Sequence, residues 1–208
     1  AHRLGFKVAA HVESPEGIRC ALENGVDSIE HGAEPDEEIL RLFKEKNAFL
    51  VATISPALPF AKFDRDVTHI SEIAQYNGKI VFEGILDCAS ACLKNGIPVG
   101  LGTDTGCPYI THYDMWRELN YFHKYCGVSN AFALYTATKL NAQLAGVGDI
   151  TGSIEAGKSA DFIVTAENPL NSLLALRHID MVVFRGNITE HPKVKKMQEV
   201  EDALDKFL

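Results

Sequence analysis

No run of apolar residues in this 208-residue sequence approaches the ~20 that a membrane span requires, and no charged-then-apolar segment stands at its start, so a membrane partner is not expected. Positive charge is also short. Twenty Lys and Arg against 28 Asp and Glu leave a formal net charge of −8, which argues against nucleic acid as a partner because phosphate binding needs a basic surface. Cysteine is sparse and does not form an obvious framework: the five residues Cys20, Cys88, Cys92, Cys107 and Cys126 are odd in number and contain no CxxC. Cys88 and Cys92 fall on one face of an expected helix, where two thiols read as core filler rather than a disulfide, and a reducing, cytoplasmic setting is expected. Low-complexity stretches and internal sequence repeats are lacking.

What is present is an ordinary globular composition, 46% hydrophobic and 23% charged, in a chain long enough for one core or one core plus a piece. Strand and helix patterns alternate. Phe6 to Val12 is short and apolar, predicting a strand buried on both faces. Ser14 is placed to cap a helix with Pro15 at its first position, and Gly25 to stop it. Val26 to Glu30 predicts a second strand. Asp36 caps a second helix with Ile39, Leu40 and Phe43 inward, ended by Asn47, and Ala48 to Thr53 predicts a third strand. Ser55 to Asp66, with two prolines, predicts a long loop suited to a lid or to substrate binding. Helical pattern resumes near Thr68, breaks at Asn77-Gly78, and runs from Lys79 to Asn95, before a fourth strand over Ile97 to Leu101. Further helices are expected over His112 to Tyr125, with Met115, Trp116, Leu119 and Phe122 inward, and from a Ser129 cap to about Gly146.

Four strand-helix units predict a parallel sheet with helices outside it. The tail differs: Asp161 to Val164 predicts a strand, Met181 to Thr189 a hairpin, and the residues from Lys193 onward a polar, peripheral helix.

Chemistry concentrates at three strand ends. His11 closes the first strand, His31 the second, and Asp104 sits in the small-residue turn Gly100-Leu101-Gly102-Thr103-Asp104-Thr105-Gly106 after the fourth. Carboxyl ends of strands are where α/β proteins keep their chemistry, and two imidazoles with a carboxylate are a set of metal ligands. A neutral imidazole suits a borderline cation such as zinc; a carboxylate both ligates and accepts a proton. His112, in the loop or first turn beyond the fourth strand, is a candidate for binding a substrate carboxylate, with a helix cap or a surface imidazole as the alternative. Glu13 reads as a solvated acid able to hydrogen-bond a ligand.

Ala10-His11, Ser28-Ile29-Glu30-His31-Gly32 and Gly102-Thr103-Asp104, in that order, resemble the later half of the amidohydrolase superfamily, in the group that includes imidazolonepropionase and prolidase-like members. Gly152-Ser153-Ile154-Glu155-Ala156-Gly157-Lys158-Ser159-Ala160-Asp161 is similar to that superfamily's return into its small β domain. The resemblance implies an α/β fold made of strands five to eight of a TIM-type (βα)8 barrel, followed by part of a small β-sandwich. It divides the chain at 1–148 for the partial barrel, 149–190 for the small β element and 191–208 for a helical tail.

It further implies that His11, His31 and Asp104 are metal ligands, that Asp104 is also the base toward the attacking water, and that a divalent metal, zinc by ligand type, serves as one or two ions in the full-length parent. The reaction implied is hydrolysis of a C–N bond in an amide, a dipeptide or a cyclic amide, and the substrate a small molecule or dipeptide-like. The superfamily's His-x-His after its first strand and its strand-four lysine are not in this sequence, so the chain is expected to be the later part of a longer protein. Its open sheet edges are then expected to pair with the missing N-terminal half or with a second copy of the chain. Two other readings compete. Gly100, Gly102 and Gly106 could cradle a phosphate, although Asp104 within that turn repels one, and the isolated chain could be an inactive structural fragment.

Overall fold

The computed structural model describes residues 1–208, which divide into two units, Ala1–Ile110 and Thr111–Leu208. The first holds β1 (Ala9–Val12), α1 (Pro15–Glu23), β2 (Ser28–His31), α2 (Glu37–Lys46), β3 (Phe49–Ala52), α3 (Ile54–Lys62), α4 (Arg65–Thr68), α5 (Glu72–Lys94) and β4 (Val99–Leu101). Its four strands form one parallel sheet in the order β1-β2-β3-β4.

The expected helix starts are explained by their caps. The Ser14 hydroxyl accepts from the Gly17 N–H ahead of Pro15, and the Asp36 carboxylate accepts from Ile39 N–H. Asn47 ends α2 in the left-handed conformation. Ile18, Leu22, Ile39 and Phe43 from these helices pack with Ile29 and Leu50 of the sheet as a fully buried core.

Three expectations for this unit are corrected. The first strand is shorter than Phe6 to Val12 and is not buried on both faces: β1 alternates exposed and half-buried, and Phe6 is 65% exposed. Within these 208 residues it pairs with β2 on one side only. The segment read as a loop from Ser55 is instead helix α3, in which Ile54 to Pro59 and Ala61 are all buried. Pro56 falls in its first turn, where a missing N–H costs nothing, and Pro59 is absorbed inside it. The break expected at Asn77-Gly78 does not occur, because α5 is continuous from Glu72 to Lys94. Gly78 serves close packing: a Cβ there would lie 2.6 Å from Phe60 Cβ, so its bare backbone lets α5 approach α3.

The second unit contains α6 (Met115–Cys126), α7 (Asn130–Tyr135), a π-helical turn over Thr136–Leu140, α8 (Asn141–Leu144) and an antiparallel sheet β5-β6-β7 (Phe162–Val164, Met181–Phe184, Asn187–Glu190), ending in α9 (Gln198–Leu204). Trp116, Leu119 and Phe122 of α6 are buried as expected, but so are Arg117 and Glu118. The terminal helix is not peripheral. Val200, Glu201 and Leu204 are buried, and an ionic network joins α9 to α6: Arg117 Nη2 lies 3.2 Å from Glu201 Oε2 and 2.7 Å from Asp205 Oδ1, its Nε lies 3.4 Å from Asp114 Oδ2, and Arg177 reaches the same Glu201 and Asp205 at 3.1 and 2.7 Å. Arg117 also stacks on Trp116, 4.4 Å from the ring centroid. No helix is long and apolar enough to cross a membrane.

Candidate metal centre

Parallel pairing sets the carboxyl ends of the strands along one rim of the sheet. The register places Val12 opposite His31 and Ala52 opposite Leu101. A slip by one residue would turn each of these side chains to the other face. His11 in β1, Glu13 one residue past it and His31 at the end of β2 therefore converge: one ligand atom from each lies within 4.8 Å of the other two. The imidazoles of His11 and His31 meet edge-on, with ring centroids 4.6 Å apart and planes at 76°.

His31 ends its strand at φ 70, followed by Gly32 at φ 91. Two successive residues in this region turn the chain sharply, and the second must be glycine. A Cβ on Gly32 would stand 2.9 Å from Cys88 Sγ and 3.0 Å from Leu50 Cδ1. His31 is 6% exposed, and its Nδ1 lies 2.5 Å from Thr53 Oγ1, which leaves Nε2 as the nitrogen available to a cation. Burial holds its pKa below the ordinary histidine range and the field of His11 adds to this, while Glu13 and Asp104 partly offset the shift. The neutral imidazole so favoured is the form that ligates metals.

Asp104 sits three residues beyond β4 in the left-handed conformation at φ 49, in a turn where the Thr103 and Thr105 hydroxyls are 2.8 Å apart. Its carboxylate lies outside the three-donor cluster but within electrostatic reach of His31, and Cys107 Sγ donates weakly to it at 3.7 Å. Burial, then the Asp104 charge, pushes the Cys107 thiol up, so it is no nucleophile. Glu30, beside His31, is pushed up by burial and by Asp104, against the Ser28 hydroxyl, which donates to its Oε1 at 2.5 Å.

The cluster thus unites His11 and His31 and adds Glu13, which the sequence reading treated as a solvated acid. The i, i+2 spacing of His11 and Glu13, which puts both on one face of an extended chain, was the signal available for it. Thr53 carried no such signal. His112 lies in the second unit, outside any helix. It is exposed and edge-on to Tyr113 at 5.4 Å, lining a cavity of about 910 Å³ with Arg177, His178, His191 and Lys193. Beside the three-donor cluster, a cavity of about 310 Å³ is lined by Glu13, Gly32, Glu34, Glu83 and Asp87. Two imidazoles and a carboxylate converging at a strand-end rim, one imidazole buried, neutral and fixed at its second nitrogen, fit a divalent cation of zinc-like preference.

Comparison with known proteins follows the same lines. The sequence model described as "Amidohydrolase family" matches residues 1–189. Ochratoxinase of Aspergillus niger is 32% identical over 176 residues, which are 83% of this chain and 35% of that protein. A solved structure from Bifidobacterium longum superposes with a TM-score of 0.96 at 39% identity, covering 99% of this chain and 52% of that one. The crystal structure of a Xaa-Pro dipeptidase with bound methionine in its active site gives a TM-score of 0.81 at 32% identity, over 91% of this chain and 46% of that one. The chain spans about half the length of the solved relatives it matches.

Proposed function

From the premise that the chain belongs to the amidohydrolase family, we propose that it carries the second half of a metal-dependent hydrolase of C–N bonds. In this reading β1 to β4 are strands five to eight of a (βα)8 barrel, residues 1–148 are the barrel portion, 149–190 part of a small β-sandwich domain and 191–208 its helical tail. His11 and His31 hold a divalent metal, zinc by the chemistry of the donors, with Glu13 joining them. Asp104 is both a ligand and the base. The observation that carries this is the convergence of His11, Glu13 and His31 at one rim of a parallel sheet, with His31 kept neutral.

A divalent ion supplies Lewis acidity there, polarising a carbonyl and making water acidic near neutrality. The chain's own residues do the rest. Asp104 takes the proton of the attacking water and returns it to the departing nitrogen, which leaves as an amine. Its turn follows the carboxyl end of β4 in the same parallel sheet. His112 binds a carboxylate of a dipeptide-like substrate, and the relatives' names favour that class, since one is a Xaa-Pro dipeptidase. Turnover needs the remaining barrel strands, supplied by the other half of the protein or a second copy, in a cytoplasmic setting; the isolated 208 residues are then an incomplete enzyme.

Zinc titration of the protein containing the whole barrel tests the metal reading, with binding expected in wild type and lost in His11→Asn and His31→Asn, and only weak binding expected of the isolated 208 residues. Release of proline or another amino acid from a panel of Xaa-Pro and other dipeptides, by the protein containing the whole barrel, tests the reaction. Zinc uptake that is indifferent to both histidines refutes the assignment of the site.

A further inference from the structure

Thr53 follows β3 directly and occupies the position before the first residue of α3, where a threonine hydroxyl ordinarily caps the helix by accepting from a backbone N–H. It does not do so here. No side-chain cap bond forms at this helix start, and the hydroxyl instead meets His31 Nδ1 at 2.5 Å, with both residues buried. Gly102, at the start of the turn that carries Asp104, lies beside the branched side chain: a Cβ built there would stand 3.5 Å from Thr53 Cγ2, an ordinary contact, and 3.3 Å from Val51 Cγ1. A β-branched side chain has few χ1 choices, and the contact with His31 is made from one of them. The hydroxyl is therefore presented to His31 in one orientation.

We propose that Thr53 is the positioning residue of the metal centre: accepting from Nδ1–H, it holds His31 in the tautomer whose Nε2 lone pair is free for the cation. The proposal rests on the metal reading above and adds a residue that never touches the ion. Free imidazole favours the opposite tautomer, with the proton on Nε2, which would turn the wrong nitrogen to the site. Accepting from Nδ1–H, Thr53 opposes that preference at the loss of a helix cap; a hydroxyl can also donate to a bare Nδ1, and the tautomer measurement below decides between the two.

The test compares wild type, Thr53→Val and Thr53→Ser in the full 208-residue chain labelled with ¹⁵N-histidine. Two-bond proton–nitrogen correlations report the His31 tautomer without metal, and chelator competition on the same variants of the protein containing the whole barrel reports zinc affinity. Wild type is expected to show His31 as Nδ1–H. Thr53→Val keeps the shape but loses the acceptor; it is expected to shift His31 toward Nε2–H and to weaken zinc binding roughly 10- to 100-fold. Thr53→Ser keeps the hydroxyl and is expected to restore most of both. An unchanged tautomer in Thr53→Val overturns the proposal, and so does a Thr53→Ser chain that behaves like Thr53→Val, since that assigns the effect to the methyl group. Protein containing the whole barrel that takes up no zinc refutes the metal reading instead, and the tautomer comparison still decides the role of Thr53.

Discussion

Gly32→Ala is a sharp perturbation because two separate costs fall on one added methyl group. The residue sits at φ 91, a conformation that costs an L-residue about 1–2 kcal/mol. The new Cβ would also stand 2.9 Å from Cys88 Sγ, 3.0 Å from Leu50 Cδ1 and 3.1 Å from Cys88 Cβ. Cys88 is fully buried on α5 and Leu50 on β3, so neither can retreat into solvent, and overpacking of this kind costs about 1–3 kcal/mol. The total is about 2–5 kcal/mol against a stability that rarely exceeds about 15. At roughly 4 °C per kcal/mol for a unit of this size, the melting temperature should fall by about 8–20 °C. The second variant, Cys88→Ala, removes the sulfur atom that the methyl group strikes but leaves the backbone strain. Gly32→Ala/Cys88→Ala should therefore lose about 1–2 kcal/mol less than the sum of the single changes. Scanning calorimetry of the four chains measures this directly. A Gly32→Ala chain that melts within about 2 °C of wild type, or strictly additive losses in the double variant, would refute the close approach of α5 to the His31 turn.

Asp104→Asn retains a residue that tolerates the left-handed backbone at φ 49, so circular dichroism should be unchanged. In the protein holding the whole barrel its turnover should nonetheless drop by roughly 10²- to 10⁴-fold, and near-normal turnover would make Asp104 a turn residue only. His31 sets a pH dependence of stability. Its folded pKa is depressed, so the unfolded chain takes up the proton first. The contribution is full above about pH 6.5, declines as pH falls toward the folded value, and levels off below it. Urea unfolding between pH 7.5 and 5 should show that slope, and His31→Asn should flatten it.

The strand-end residues and the helix caps were legible because their signals are local. Ser14 before Pro15 and Asp36 three residues before Ile39 act on backbone groups within a turn of themselves. Parallel order follows from strand-helix repetition, and with it the shared rim of His11 and His31. What escaped is decided by contact between distant segments. Pro56 and Pro59 argue for a loop when read singly, yet burial of Ile54 to Ala61 against α5 outweighs them. Gly78 reads as a break until Phe60 is seen to occupy the space a side chain would need. Phe6 looks like core because it is apolar, but within these 208 residues β1 pairs with β2 alone and leaves it uncovered. Glu13 could be extracted from alternation with His11; Thr53 could not, since its partner is 22 residues away.

The network between α6 and α9 has a consequence for alignment rather than strength. Val200 and Leu204 alone would let α9 slide by a turn along its groove, because one apolar contact substitutes readily for another. Ions do not allow that freedom. Arg117, Arg177 and Lys196 face Asp114, Glu201 and Asp205, three against three, and a displacement of one turn would strand Glu201, 1% exposed, away from every cation that neutralises it. The charges thus act as a vernier, tolerating one setting of the terminal helix and rejecting its neighbours.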